Sequence, residues 1–185
     1  MRLAFLIGVI AAAGPAAARW APDATKAAIP ARAASGRIHG NAFRVEKAEL
    51  QIAQPNPGMP KRTTYFLKLR QGKEFFADYE YSLTLLTPRG LRLDGRSFVV
   101  TPEGVFKMPG AIQENGVSYP PVQGVMMTWK APGKSFGDTD MVSKYTMRLQ
   151  FGKTSGNRIP GRIYLAMQDR SKSWVAGSFI AMIDR

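Results

Sequence analysis

The chain has 185 residues, 45 % hydrophobic and 21 % charged, a globular balance that excludes a disordered tract. Its 26 Lys and Arg against 13 Asp and Glu give a net charge of +13, a field that favours anionic partners. There is no cysteine, which excludes disulfides, thiolate metal sites, a cysteine nucleophile and a lipid-modified cysteine.

Residues 1–18 carry the three parts of a secretory signal. Arg2 supplies a basic start, Leu3 to Ala13 an apolar run, and Ala16-Ala17-Ala18 a small-residue cleavage site before Arg19. The run is too short for a bilayer span, which needs about 20 apolar residues, and Gly14-Pro15 breaks it. No later stretch reaches that length, so the mature chain is expected to lack a transmembrane segment. Removing residues 1–18 takes away only Arg2, so the charge falls from +13 to +12. The expected location is the bacterial periplasm or the cell exterior.

Residues 19–34 are rich in Ala, with Pro22 and Pro30 and no period, and read as a flexible leader. From Ser35 to Arg185 the dominant period is two, which predicts one strand-built domain. Phe43 and Val45 share one parity; Ala48, Leu50 and Ile52 share the other. A bulge or bend at Glu46-Lys47 keeps both sets inward. Tyr65, Leu67 and Leu69 form the next set, with Lys68 and Arg70 opposite. A weak helical turn is placed near Lys73 to Asp78. Tyr79, Tyr81, Leu83 and Leu85 alternate with polar residues, and Leu91 to Phe98 reads as a hairpin around Asp94-Gly95. Val125, Met127 and Trp129 follow, then Tyr145, Met147, Leu149 and Phe151. Ser173 to Ile183 is apolar on both parities, which suits a central strand covered on both faces. Pro and Gly clusters, Ile159-Pro160-Gly161 among them, mark the turns. Gly36-Arg37-Ile38 is echoed at Gly161-Arg162-Ile163, a hint that the first and last strands lie close together. The fold class is all-β: an antiparallel β-sandwich of about eight strands, jelly-roll-like, with a small β-barrel as the alternative.

Motifs for chemistry are sparse. His39 is the only histidine, too few for a zinc site or for more than one Ser–His pairing. Gly137-Asp138-Thr139-Asp140 opens like a calcium loop but lacks its later ligands. No phosphate-binding loop, dinucleotide fingerprint or nucleophile elbow occurs. No metal and no cofactor are therefore expected.

Two basic groups remain as candidate ligand-binding residues: Arg89, Arg92 and Arg96 around the predicted hairpin, and Lys68 with Arg70 on a strand. Guanidinium and ammonium groups in such patches hold phosphate or uronate. The signal argues against nucleic acid as partner. The expected function is a non-enzymatic exported domain binding a carbohydrate, an anionic polysaccharide or another envelope component. The alternatives are a hydrolase of an envelope polymer using Asp78, Glu80 or Asp138 with Asp140, and a structural component of the envelope.

Exported protein should begin at or near Arg19. Intact-mass measurement checks this, and a mass retaining Met1 to Ala18 contradicts it.

Overall fold

The computed structural model describes residues 19–72, 77–130, 137–142 and 144–184. The signal reading at 1–18 and the first four residues of the helical turn placed near Lys73 to Asp78 lie outside them. The regular structure of the described chain is almost wholly strand. β1 (Ser35–Ile38) and β2 (Asn41–Arg44) form a hairpin. Its two-residue turn holds His39 at φ 49° and Gly40 at φ 80°, the left-handed pair that a tight hairpin requires. β3 (Lys47–Ile52), β4 (Arg62–Gln71) and β5 (Tyr79–Pro88) form an antiparallel meander. β6 (Ser97–Val100) is followed by a single 3-10 turn at Val105–Lys107 and the small hairpin β7 (Ile112–Glu114) and β8 (Val117–Tyr119). β9 (Val122–Lys130), β10 (Gly137–Val142), β11 (Tyr145–Phe151), β12 (Arg158–Met167) and β13 (Trp174–Asp184) complete the chain.

Eleven strands belong to one curled sheet in the order β10-β9-β5-β4-β3-β13-β12-β11-β6, with β1 and β2 attached through β13. β7 and β8 form a second, small sheet. The all-β expectation holds, in a half-barrel form of the sandwich and barrel class. Among the described residues all strand pairings are antiparallel except β3 with β13, and Ala33 of the leader adds a single parallel bridge to Ser178. β13 pairs with β12 along most of its length; its other edge is shared, first by β1 and then by β3. The first and last strands do lie side by side.

The concave face of the sheet is the main core. The predicted inward sets line it: Leu67 and Leu69, Tyr81 and Leu83, Val125 and Met127, Met147 and Leu149. The parity change after Val45 is a bend: β2 ends, the chain leaves β1, and β3 begins against β4 with Ala48 and Leu50 in the core.

Two expectations are corrected. The Ile159-Pro160-Gly161 cluster is not a turn but lies inside β12, between β11 and β13. Proline cannot donate to a ladder, which normally confines it to sheet edges. Here β11 ends beside it. Gly152 N donates to Pro160 O at 2.8 Å, while Gly152 O accepts instead from Gly95 N at 3.1 Å. No acceptor is left unpaired by the missing N–H. The predicted hairpin at Leu91–Phe98 is only a turn. Arg96 N donates to Leu93 O at 3.0 Å around Asp94-Gly95, but β6 then pairs with β11.

The leader is not loose in this structure. Residues 19–34 cross the outer face of β11, β12 and β13 as a strap. Ala24 and Ile29 pack on Tyr164, Ala166 and Ala176, with Trp20 and Trp174 at the border. Thr146 Oγ1 accepts from Ala24 N at 2.9 Å, Arg148 Nη2 donates to Ala27 O at 2.8 Å, and Arg162 Nη2 donates to Ile29 O at 2.6 Å. The strap therefore covers the outer face of the first half of β13, whereas Ile180 and Met182 in its second half are exposed outward. Among the described residues, no helix is long and apolar enough to cross a membrane.

Trp20→Ala removes a half-buried indole and its hydrogen bond to Met167 O. Urea unfolding should show a loss of about 2 kcal/mol. A change below about 0.5 kcal/mol, the usual scale for featureless surface positions, contradicts a docked strap.

Candidate functional site

The arginines of the β5–β6 link lie together at one end of the sheet without forming one site. Arg96 Nε donates to Arg92 O at 2.8 Å, which brings these two together, but Arg92 Nε is committed to Asp94 Oδ2 at 2.9 Å. Arg89 sits apart, its N–H bonded to Lys61 O at 2.9 Å. Each lines a different hollow: Arg89 beneath the loop at 53–61, Arg92 beside Leu93 and Ile159, Arg96 beside Met108 and Gly110.

Lys68 and Arg70 project from the outer face of β4 into a ladder of alternating charge. Arg70 lies 3.2 Å from Glu49 on β3 and 3.1 Å from Glu80 on β5, and Lys47 lies 2.5 Å from Glu49. Burial disfavours the charge on Glu49, but the Lys47 ammonium and the Arg70 guanidinium outweigh it and hold the carboxyl below its ordinary range. Burial pushes the Glu80 carboxyl up, only partly offset by Lys68 and Arg70. This face is largely self-neutralised and offers little to an outside anion.

Asp78 and Glu80, two of the carboxylates proposed for hydrolysis, are similarly engaged. Asp78 lies 3.8 Å from Lys130, and Glu80 faces Arg70. Asp138 and Asp140 are not in a loop: they belong to the edge strand β10, in register with Trp129 and Met127. Elsewhere Glu114 pairs with Arg62 at 3.3 Å, with side chains 1 % and 9 % exposed, and Asp169 accepts from both the N–H and the hydroxyl of Ser173. Among the described residues, no group of three or more His, Asp or Glu is placed to hold a metal.

The opposite end of the sheet carries a different arrangement. All three tryptophans of the chain stand at this end, Trp129 against the main core and Trp20 with Trp174 against the cluster under the strap. Trp174 opens β13, Trp129 nears the end of β9, and the strap brings Trp20, whose Nε1 donates to Met167 O at 2.8 Å. The β12–β13 link is a tight turn in which Asp169 clamps Ser173 N at 2.7 Å and Ser173 Oγ at 2.8 Å. Ser173 Oγ in turn accepts from His39 N at 3.0 Å, and the His39 ring stacks on Trp129 at 3.7 Å. Tyr81 donates its hydroxyl to Arg37 O at 2.7 Å; burial, with the nearby Asp169 charge, pushes its ionisation well above the usual range.

Around this frame stand five exposed cations. Lys172 lies 5.0 Å over the Trp20 ring, within cation–π range. Arg170 shares its turn, and Arg37 is in register with Trp174. Lys144 O accepts from Gln168 N at 2.9 Å, and Arg19 O accepts from the Tyr164 hydroxyl. No ion pair engages any of the five among the described residues. Charged forks beside indole faces are the groups that hold carboxylate or sulfate on a sugar ring. Strand reading alone missed this set because its members come from four separate segments. The one local signal is Arg170-Ser171-Lys172-Ser173-Trp174, which alternates cations with an indole.

No family model, curated protein or solved structure matches the chain.

Asp94 provides a pH test of the other end. The Thr154 N–H, bonded at 2.7 Å, is the main cause that lowers its carboxyl to about 2, with Arg92 adding to it. A depressed carboxyl stabilises the fold above its unfolded value and loses that contribution as pH falls towards 2. The stability gap between the parent and Asp94→Asn should therefore be full at pH 6 and shrink towards pH 2 in urea unfolding. A gap independent of pH contradicts the assignment.

Proposed function

We propose that the chain is an exported, non-enzymatic binding domain whose tryptophan-bearing end holds an anionic polysaccharide or similar envelope polymer. The observation that carries this is the set Arg19, Arg37, Lys144, Arg170 and Lys172, exposed around Trp20 and Trp174 and without a carboxylate partner among the described residues. The described carboxylates support the same reading from the other side. Glu49, Asp78, Glu80, Asp94 and Glu114 are each paired to a cation, and Asp169 to Ser173, so these six are engaged in holding the fold. Export rests on the signal-like residues 1–18.

In this reading arginine forks grip carboxylate or sulfate groups in pairs of hydrogen bonds, and the lysines add field. The strap is part of the site, since it delivers both Arg19 and Trp20. Salt screens exposed charges beyond roughly 10 Å at 0.1 M, so affinity falls as salt rises.

Binding to polygalacturonate at moderate salt tests the site against a diffuse field. Arg37→Ser, Lys144→Ser, Arg170→Ser and Lys172→Ser combined should weaken binding by about tenfold or more, near 1.4 kcal/mol. Arg89→Ser, Arg92→Ser, Arg96→Ser and Lys153→Ser combined remove the same charge from the other end and should cost about threefold or less. Equal losses would mean that the net charge alone attracts the polymer.

A further inference from the structure

A hollow lies beneath the loop at 53–61, at the end of the sheet away from the tryptophans. The loop links β3 to β4 and is held by its own bonds: Asn56 Oδ1 accepts from Gly58 N at 2.9 Å, and Asn56 O from Met59 N at 2.9 Å. Beneath it lies a space of about 450 Å³, within the range of small-molecule pockets. Ile52, Pro55, Met59 and Phe66 form its apolar walls, and Arg62 and Arg89 its cationic ones.

The two arginines differ in what they have left to offer. Arg62 is fixed on three sides, by Glu114 at 3.3 Å, by the Tyr119 ring at 3.8 Å and by the Met59 sulfur. Its charge is cancelled by a carboxylate still more buried than itself. Arg89 is exposed and has no carboxylate partner among the described residues, while its backbone N–H anchors it to Lys61 O. The hollow therefore presents one uncommitted positive charge beside an apolar wall.

We propose that this hollow binds a small amphipathic monocarboxylate, its carboxylate on the Arg89 guanidinium and its aryl or alkyl body against Phe66, Ile52 and Pro55. A planar carboxylate matches the guanidinium fork. A single negative charge matches the single free cation; a dianion leaves one charge unpaired in a pocket whose other guanidinium is already neutralised. The site is independent of the tryptophan-bearing end and of any polymer bound there.

Titration calorimetry with phenylbutyrate, phenylbutanol and acetate tests it on the mature chain. Phenylbutyrate should bind saturably below about 1 mM, with the alcohol and acetate each about tenfold weaker or more. Arg89→Gln should remove the preference of acid over alcohol, costing about tenfold for the acid alone. Arg96→Gln, at the same end but outside the hollow, should bind like the parent, and Phe66→Ala should weaken acid and alcohol together. Polygalacturonate binding by Arg89→Gln should be unchanged, which separates this site from the polymer site. Equal affinity for acid and alcohol, parental acid binding by Arg89→Gln, or no saturation up to about 10 mM overturns the proposal.

Discussion

The fold depends on how one strand, β13, is shared. Along one edge it is held by β12; along the other it is held first by β1, running antiparallel, and then by β3, running parallel. The exchange occurs at Gly177, whose φ of 138° is open to glycine and strained for other residues. A Cβ there would lie 2.7 Å from Arg32 O and 2.6 Å from the Ala34 Cα. The main chain of the strap fills that space, with Ser178 N donating to Arg32 O and Ala34 N to Ser178 O, both at 2.8 Å. Gly36 makes the matching approach from β1: a Cβ there would sit 1.8 Å from Trp174 O. Two side-chain-free positions, one near each end of the domain, thus let its beginning and its last strand close on each other. The strap, the β1–β2 hairpin and the β12–β13 turn all take their places from this junction.

The strands that face the concave core were legible because burial on one face writes a period of two into the sequence. Tyr79 to Leu85 and Tyr145 to Phe151 are read directly in this way. β12 was not legible, because Pro160-Gly161 carries the signature of a turn; only the backbone of Gly95, far away in sequence, makes proline tolerable there. The strap was hidden for a different reason. Arg148 and Arg162 bind its carbonyl oxygens, and carbonyl oxygens leave no trace in residue types. An Ala- and Pro-rich stretch looks the same whether it is solvated or tied down.

The basic character was legible as a total but not as a distribution. Arg92 and Arg70 looked available because their acidic partners lie two residues away or on neighbouring strands. Counting charges along the chain does not show which are cancelled across a sheet. Of the described cations that such pairing leaves over, one group stands around Trp20 and Trp174, and one guanidinium, Arg89, stands over an apolar hollow. Their chemistry differs accordingly, with a spread of cations suited to a polymer and one fork suited to a small acid.

The location of the polymer site is the central claim, and the tryptophans report on it directly because all three stand at one end of the sheet. Nuclear magnetic resonance of uniformly nitrogen-labelled mature protein, titrated with a short polygalacturonate oligomer, follows their indole N–H signals and the backbone amides together. The account predicts saturable shifts of the Trp20 and Trp174 indoles and of the amides from Arg170 to Lys172, with the amides from Arg89 to Arg96 unmoved. Shifts confined to Arg89–Arg96, with silent indoles, would contradict it.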